Sequence, residues 1–260
     1  MTAKKSPASD YPKEAYALLV DREERHFWFR GRNHAIRSII TKYFPKPLGK
    51  RFLEVGCGTG YVLRELAAMG FRVTGLDMHG DGIRYARKRV PSATFVVGDL
   101  FDFKPAKKFD AVGIFDVIEH IAHATKALER CRSLLNPGGM LFVTVPARSE
   151  LWSAYDTISG HKRRYTKAAL IEALEKSGYT VRFVGYLGFF QYLPHFLVKK
   201  LLISPAHTDD TMAVLEGVLR MPAAPLNRLL LFSMRLDTYL TTRIALPFGT
   251  TLIACAQKAV

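Results

Sequence analysis

The chain has 260 residues, of which 48% are hydrophobic and 23% are charged. This length and composition suit one α/β domain with a full core and a small cap, and only about the first 12 residues have the composition of a disordered segment. The formal net charge of +15 favours an anionic partner such as nucleic acid, phospholipid headgroups or a phosphorylated substrate. The competing interpretation is a solvated basic surface without a partner.

Three cysteines, Cys57, Cys131 and Cys255, are odd in number and far apart in the sequence. They predict neither a disulfide framework nor a zinc site, and we predict no metal site. The N-terminus lacks the apolar segment of a secretory signal. These features favour a reducing, cytoplasmic setting.

From residue 51 onward, short apolar runs alternate with helical patterns. Strands are predicted at residues 51–55, 71–76, 94–97, 109–115, 140–145 and 179–187. Helices are predicted at residues 61–69, 81–90, 122–135 and 166–177, and Asn136-Pro137-Gly138-Gly139 predicts a turn. Strands that alternate with helices at this spacing predict an α/β fold with a mostly parallel, doubly wound sheet.

The alternation of strand and helix patterns ends after residue 187. Residues 189–203 and 226–246 are apolar with helical periodicity, around a softer middle that contains Pro205, Pro222 and Pro225. A last strand is predicted at residues 250–256. We therefore divide the chain into an N-terminal helical segment (1–50), a main domain (51–187 and 247–260) and a helical insertion or cap (188–246).

A glycine-rich segment, Glu54-Val55-Gly56-Cys57-Gly58-Thr59-Gly60, follows the first strand and opens a helix. Its glycines allow positive φ angles and a close approach to a ligand, and the helix N-terminus adds amide donors. The glycine spacing departs from the G-x-G-x-x-G of dinucleotide-binding enzymes, and Glu54 is a poor neighbour for a pyrophosphate. An acidic residue suits a ligand that carries an ammonium group. The competing interpretation is a structural strand–helix turn.

The ordered motifs of residues 51–187 and 247–257 resemble those of class I S-adenosylmethionine-dependent methyltransferases. The matching pieces are LEVGCGTG (53–60), GLD (75–77), VVGDL (96–100), FDAVGIFDVIEHI (109–121) and LLNPGGMLFVTVP (134–146). The resemblance implies a Rossmann-like sheet of seven strands with the last strand antiparallel. It also implies that the loop binds S-adenosylmethionine, which carries an amino acid end and is converted to S-adenosylhomocysteine.

The resemblance implies roles for the residues of the loop and of the next strand. Gly56, Gly58 and Gly60 would shape the loop under the methionine part of the cofactor. Glu54 would brace that loop and reach the amino group directly or through water. Asp77 would accept hydrogen bonds from both ribose hydroxyls.

Four further residues are assigned to the cofactor in the same way. Met78 would pack on the adenine, and Asp99 would accept from the exocyclic amine with the Leu100 amide nearby. Phe115 would offer its backbone carbonyl near the methionine end. The competing interpretation for Asp77 and Asp99 is ordinary strand-end and turn chemistry.

Two segments outside this core, EERHFWFRGRNHAI (23–36) and GHKRRYT (160–166), are similar to pieces of a bacterial subgroup with poorly defined substrates. By that resemblance the N-terminal aromatic segment closes over the cofactor. Arg32 is our candidate for pairing with the methionine carboxylate, because guanidinium matches carboxylate bidentately. The alternative is that Phe27, Trp28 and Phe29 only pin a helix to the core.

Three residues near the carboxyl ends of the strands are candidates for catalysis. If the acceptor is a hydroxyl, a general base assists the transfer, and His120, His161 and Tyr165 are placed for that role. The competing interpretations are that Glu119 and His120 hold a loop by hydrogen bonds, and that His161 is a surface-loop histidine. The neighbouring basic residues at 162–164 would alternatively bind an anionic group of the substrate.

The insertion is the main clue to the acceptor. Both of its apolar stretches carry spaced basic residues, which are Lys199, Lys200, Arg228, Arg235 and Arg243. They are too interrupted for a membrane span, but they suit an interfacial helix on an anionic membrane or a lid over a hydrophobic substrate. A buried cap or a homodimer face is the competing interpretation.

The leading hypothesis is methyl transfer to a small hydrophobic, lipid-like or isoprenoid-like acceptor, by a cytoplasmic enzyme that is peripheral at the inner membrane face. An RNA or protein methyltransferase using the basic surface is the first alternative. The residues Phe115-Asp116-Val117-Ile118 stand where base-methylating enzymes carry Asn/Asp-Pro-Pro-Tyr, which weakens nucleic acid without excluding it. A non-catalytic S-adenosylmethionine-binding protein is the second alternative.

Overall fold

The computed structural model describes residues 13–202 and 211–259. Its strands are β1 Arg51–Val55, β2 Arg72–Asp77, β3 Thr94–Val97, β4 Phe109–Phe115, β5 Leu135–Pro146, β6 Tyr179–Leu187 and β7 Thr251–Lys258. Its helices are α1 Lys13–Arg25, α2 Phe27–Tyr43, α3 Tyr61–Ala68, α4 Gly80–Arg89, α5 Ala124–Leu134, α6 Ala154–Ile158, α7 Lys167–Lys176, α8 Phe189–Leu202, α9 Thr211–Val218 and α10 Ala224–Thr241. The predicted disordered start of the chain lies outside the described residues.

One seven-stranded sheet runs in the order β3-β2-β1-β4-β5-β7-β6. The first five strands pair in parallel, and β7 lies antiparallel between β5 and β6. This confirms the predicted sheet, including its antiparallel last strand. The strand order reverses between β1 and β4, so the carboxyl ends of β1, β2 and β4 border the crevice in which such sheets bind ligands.

Two apolar clusters cover the two faces of the sheet, because successive residues of a strand point to opposite sides. In β4, Val112 and Ile114 pack with α5 and α7, whereas Ala111 and Phe115 pack with α2, α3 and α4. Strands buried on both faces in this way are typical of doubly wound folds. The core therefore fixes the strand ends from which the site residues project.

The predicted boundaries differ from the structure mainly around β5. The segment predicted as a turn, residues 136–139, lies within the bounds of β5 as an irregularity in its pairing with β4. Gly138 takes a φ of 71°, and the register shifts between Phe109 and Ala111 to absorb the extra residues. By contrast, α7 begins as predicted, because the Thr166 hydroxyl accepts from the Ala169 amide at 3.1 Å.

The insertion contains three described helices, α8, α9 and α10, where the sequence predicted two apolar helical stretches. Pro205 and residues 203–210 lie outside the described part of the chain. Phe27 donates its amide to Asn227 at 2.9 Å, and Phe189 donates to Asp237 at 2.7 Å, which ties α10 to both α2 and α8. In the described ranges, no helix is both long and apolar enough to cross a membrane.

Candidate functional site

The loop between β1 and α3 is shaped by three glycines with positive φ angles. Gly56, Gly58 and Gly60 have φ values of 70°, 50° and 76°. A Cβ at Gly56 would lie 2.4 Å from Val117 Cγ2, whereas a Cβ at Gly58 would meet nothing within 4 Å. Gly56 is therefore required by the protein's own packing, and the free space at Gly58 suits the approach of a ligand.

Asp77, the last residue of β2, fastens this loop to the sheet. Its carboxylate accepts the Gly58 amide at 2.8 Å and the His79 amide at 2.8 Å. Each oxygen therefore holds one backbone donor and retains a lone pair for another. Both strand-end chemistry and the predicted ribose contact are compatible with this geometry, and the ribose role of Asp77 stays a prediction.

Glu54 is buried beneath the loop, and its Oε2 has no hydrogen-bond partner among the described residues. Burial raises the pKa of this carboxyl well above its usual range. The positive charge of Arg32 lowers this pKa in part, and the negative charge of Asp77 raises it further. A buried acceptor without a partner carries a desolvation cost that a cationic ligand group would remove. The residues of the loop thus fit a cofactor that has an ammonium end.

The other cofactor candidates lie along the same edge of the sheet. Met78 is 59% exposed after β2 and is available to pack on a flat ligand. Asp99 accepts the Phe101 amide at 2.8 Å, so it makes the turn that the competing interpretation describes. Leu100 and Phe115 are buried, and Phe115 ends β4 opposite Thr144.

Arg32 reaches the ends of β4 and β5 from α2. Its Nη2 lies 2.5 Å from Asp116 and 3.4 Å from the Thr144 hydroxyl. In this structure the guanidinium is thus paired with a protein carboxylate. Its predicted contact with the methionine carboxylate requires it to share or exchange that partner.

The N-terminal helix α1 lies against the glycine loop through a buried polar clamp. Glu23 accepts from the Thr59 hydroxyl at 2.6 Å and from Arg89 at 2.6 Å. Tyr16 lies near Asp77. Burial, and to a smaller extent the negative charges of Asp77 and Asp81, raises the pKa of Tyr16 to about 12. No role was predictable from the sequence for Tyr16, Glu23 or Arg89, because their partners are distant along the chain.

The aromatic segment at the start of α2 begins with a histidine that caps the helix. His26 is buried, and its Nδ1 accepts the Trp28 amide at 3.2 Å as the cap of the helix. Its ring lies 4.6 Å from that of Phe27 and 6.1 Å from that of Phe29. Phe27, Trp28 and Phe29 are half-buried, so attachment of the helix to the core and closure over the cofactor both stay predictions.

A second group of side chains meets beyond β4. The rings of His120 and His161 lie 4.7 Å apart, and the buried Glu119 lies beside them. His161 Nδ1 is 2.8 Å from Asp156, which also holds Arg164 through two bonds of 2.8 Å. The side chain of His161 is only 8% exposed. The interpretation of His161 as a surface-loop histidine is therefore wrong, because this ion network draws it inward.

The protonation of this group follows from its burial. Burial, then the neighbouring His161, lowers the pKa of His120 to about 4, so its imidazole is neutral at physiological pH. Burial, then Asp116, raises the pKa of Glu119 well above its usual range. Burial also raises the pKa of Tyr165 to about 12, so its phenol stays protonated at neutral pH and is not available as a base.

The basic residues at 162–164 are largely committed to the protein itself. Arg164 binds Asp156 as described, and Arg163 donates to the Ala122 carbonyl at 2.8 Å. The structure therefore does not favour this segment as an anion site. Sequence reasoning also missed Asp156, since it lies in a stretch without a motif and reaches His161 only through the fold.

The chain matches the sequence model of the methyltransferase domain family over residues 28–183 and belongs to that family. It is 32% identical to a probable S-adenosylmethionine-dependent methyltransferase of Mycolicibacterium smegmatis, over 61% of each chain. It is also 32% identical to the ubiquinone biosynthesis O-methyltransferase of Xanthomonas axonopodis pv. citri, over 45% of this chain and 52% of that protein. The chain thus spans between half and two thirds of the length of these relatives.

Solved structures share the fold at low sequence identity. Phosphoethanolamine N-methyltransferase 2 of Haemonchus contortus, solved with S-adenosylmethionine, has a TM-score of 0.62 at 18% identity, over 97% of this chain and 58% of that one. Magnesium protoporphyrin IX methyltransferase of Synechocystis, with bound S-adenosylhomocysteine, has a TM-score of 0.54 at 16% identity, over 88% and 84%. The predictions of a class I methyltransferase fold and of S-adenosylmethionine as the family's cofactor are confirmed.

Proposed function

We propose that this protein transfers a methyl group from S-adenosylmethionine to a hydroxyl of a small hydrophobic, lipid-like or isoprenoid-like acceptor at an anionic membrane surface. The observation that carries the acceptor class is an exposed apolar face on α10 bordered by arginines. This face, hereafter the α10 face, consists of Leu229, Phe232, Leu236 and Tyr239, which are 62%, 64%, 37% and 54% exposed.

The donor side of the reaction is assigned to the glycine loop and its neighbours. These residues would hold S-adenosylmethionine, which would supply a methyl group for in-line transfer to the acceptor oxygen, with the electrons of the broken bond kept on sulfur. Glu54 would hold the ammonium end, Asp77 the ribose hydroxyls and Met78 the adenine. These contacts align the donor, which is the main task because the leaving group is already activated.

The acceptor side is assigned to the histidine pair. His120 and His161 lie past β4 and β5, at the carboxyl-terminal edge of the sheet that also carries Asp77. Asp156 would orient His161 as a carboxylate orients the histidine of a catalytic triad, so that His161 accepts the proton of the acceptor hydroxyl as the methyl group is transferred. His120, with a pKa of about 4, is neutral but too weakly basic to remove that proton efficiently alone.

The α10 face has the properties of an interfacial helix. Its apolar residues recur at helical spacing, and Arg228, Arg235 and Arg243 are exposed beside them. The single acidic residue of α10, Asp237, is buried. Apolar residues flanked by cations bind an anionic membrane through burial in the headgroup region and through charge.

A basic cleft between α2 and α10 supports an anionic partner. Its volume is about 500 Å³, and Lys42, Arg235 and Arg243 are among its lining residues. Arg243 stacks on Tyr239, with its guanidinium carbon 3.6 Å from the ring centroid. This cleft lies next to the α10 face, so a lipid headgroup and its acyl chains would have adjacent places to bind.

The named relatives agree with this acceptor class. Several matching proteins carry the name ubiquinone biosynthesis O-methyltransferase, including the mouse mitochondrial protein, 30% identical over 46% of this chain and 35% of that protein. Transfer to an oxygen on a hydrophobic small molecule is the class of reaction that we infer for this chain.

Flotation of the full chain with lipid vesicles tests the membrane proposal. We expect co-flotation with vesicles that contain phosphatidylglycerol and little with pure phosphatidylcholine, and a loss of binding on Leu229→Glu. Leu48→Glu is the matched control, because Leu48 is 84% exposed outside the α10 face and the charge change is the same. Unchanged flotation of Leu229→Glu would contradict membrane binding by the α10 face. If the wild type is a dimer and this variant is a monomer, the face is a dimer interface instead.

Transfer of a labelled methyl group to a lipid extract, and separately to RNA, tests the acceptor class. We expect label in a lipid-soluble product that is lost in His161→Ala. Label in RNA, together with tight and salt-sensitive RNA binding, would replace the lipid proposal by the nucleic acid one. Tight binding of S-adenosylmethionine without transfer to any fraction would favour a non-catalytic binding protein.

A further inference from the structure

A cluster past the ends of β4 and β5, with one buried carboxyl and two half-buried imidazoles, has the composition of a metal site. One ligand atom from each of Glu119, His120 and His161 lies within 4.8 Å of the other two. Glu119 has no exposed surface, and within the described ranges neither of its carboxylate oxygens has a hydrogen-bond partner. A buried carboxylate without a partner is costly, and a cation placed between it and the imidazoles would remove that cost.

One ring nitrogen of His161 is engaged by a carboxylate, and His120 has a backbone partner. His161 Nδ1 lies 2.8 Å from Asp156, and the His120 ring hydrogen-bonds to the backbone at Ser159. Histidines that bind metals donate their other ring nitrogen to a carboxylate or a backbone carbonyl, which fixes the ring and its tautomer. His161 therefore keeps Nε2 for a ligand, and Nδ1 is held by Asp156. Arg164 in turn fixes Asp156 through two bonds of 2.8 Å.

We propose that Glu119, His120 and His161 bind one divalent transition-metal ion of the Zn²⁺ type. Two imidazoles and one carboxylate form a donor set typical of zinc and its first-row neighbours, whereas Mg²⁺ prefers oxygen ligands. Bonds of about 2.0–2.2 Å to zinc require the three ligand atoms to draw together to about 4 Å or less. Small rotations of the three side chains would bring the ligand atoms to that separation. Three protein ligands leave a position open, as in catalytic rather than structural zinc sites.

An open position on the metal gives the cluster a chemical use. A metal ion lowers the pKa of a hydroxyl bound to it, so the acceptor oxygen would bind as an anion and its proton would pass to water. In that arrangement the histidine pair would act on the acceptor hydroxyl through the metal and would not accept its proton directly. The catalytic role rests on the proposed function, whereas the binding of the metal does not.

Calorimetric titration of the chelator-treated full chain with Zn²⁺ tests the site without any methyl acceptor. We expect one saturable site per chain, a much weaker response to Mg²⁺, and visible absorption bands of a nitrogen-ligated ion when Co²⁺ replaces Zn²⁺. Glu119→Gln and His161→Ala are expected to abolish the site. Asp156→Asn, which removes only the partner of His161, is expected to weaken binding about 10- to 100-fold.

Two exposed residues near the cluster in the sequence provide matched controls. His123→Ala and Glu129→Gln are expected to leave the titration unchanged, because both side chains are exposed. Titration of every variant with S-adenosylmethionine shows whether it has kept its fold. A chain that lacks a saturable Zn²⁺ site, prefers Mg²⁺, or binds Zn²⁺ equally after Glu119→Gln and His161→Ala overturns the proposal. Metal binding without methyl transfer to lipid overturns the proposed function and leaves the metal site standing.

Discussion

Two buried glutamates, Glu54 and Glu119, lie in the two halves of the site and acquire their surroundings in different ways. Both have carboxylate oxygens without a hydrogen-bond partner among the described residues, and burial raises the pKa of both. Glu54 belongs to a contiguous strand–loop–helix unit, so its glycine neighbours come from the same motif. Glu119 meets His161 only because α6 and the following loop fold back over the end of β4.

The donor half of the site, around Glu54 and the glycine loop, is therefore determined by local sequence. The acceptor half, around Glu119, His120 and His161, is determined by tertiary contacts. In the donor half, backbone geometry at Gly56 and Gly60 decides the shape of the loop. In the acceptor half, a buried ion network around Asp156 decides where His161 points. The two halves should therefore respond differently to substitution.

The largest effect is expected from Asp156→Ala in the acceptor half. This side chain is fully buried and bonds to His161, Arg164 and the Ser153 amide. Removing one partner of a buried ion network costs about 3–5 kcal/mol, measured as the free energy of unfolding in urea. The control Glu172→Ala breaks an exposed pair with Lys176 and should cost less than about 1 kcal/mol. Similar losses in both variants would contradict the assigned network.

The same network predicts a dependence on pH. Burial raises the pKa of Asp156, but the hydrogen bonds from His161 and Arg164 outweigh it and hold the pKa below its usual 3.8. Because the folded-state pKa is lowered, this stabilisation is present above pH 3.8 and is lost as the pH falls further. The free energies of unfolding of the wild type and of Asp156→Ala should thus converge in strong acid. A constant difference between them over this pH range would contradict the lowered pKa of Asp156.

In the donor half, Gly56→Ala and Gly58→Ala distinguish a glycine required by protein packing from a glycine that leaves space for a ligand. Both positions have positive φ, which costs a non-glycine residue about 1–3 kcal/mol. Only Gly56 adds a clash with Val117, so its unfolding free energy should fall by about 3 kcal/mol against about 1 kcal/mol for Gly58→Ala.

Cofactor binding gives the complementary measurement on this pair. Gly58→Ala should retain its fold yet lose affinity for S-adenosylmethionine by calorimetry, because its new methyl group fills the space open to a ligand. Unchanged affinity of Gly58→Ala would move the cofactor away from this loop position.

A smaller effect is expected from Asp77→Asn. The amide oxygen can keep one backbone donor of the loop, but the charge that would receive the ribose hydroxyls is lost. A hydrogen bond to a charged group contributes about 1.5–3 kcal/mol, so affinity for S-adenosylmethionine should fall about 10- to 100-fold. The exposed Asp102→Asn serves as the control. Equal affinities in the two variants would refute the ribose contact.

The smallest effect is expected from Glu54→Gln, which should change the pH dependence of the free energy of unfolding measured without cofactor. The folded-state pKa of Glu54 is raised by burial, so its stabilisation is complete below the usual value of 4.5 and is lost as the pH rises through the folded-state pKa. Glu54→Gln should therefore gain stability relative to the wild type as the pH rises. The exposed Glu175→Gln should track the wild type across the same range. A constant difference between Glu54→Gln and the wild type would contradict a raised pKa.

Much of the fold followed from the sequence because its signals are local. The apolar strands, the glycine loop and the cap at Thr166 each depend on neighbours a few residues away. The order of the motifs then identified the family and its cofactor. The bounds of β5 were less accurate, since the Asn136–Gly139 turn signal was absorbed into a paired strand.

The arrangement of the acceptor side was decided only by the tertiary structure. Sequence alone could not place Asp156 beside His161, Tyr16 near Asp77, or Glu23 on Arg89, because each contact joins elements that no periodicity relates. It could not show that Arg32 faces Asp116, nor that Glu119 is buried without a hydrogen-bond partner among the described residues. Local propensities determine which segments form strands and helices, but burial, and with it the charge state of a carboxylate or imidazole, depends on which distant surfaces pack together.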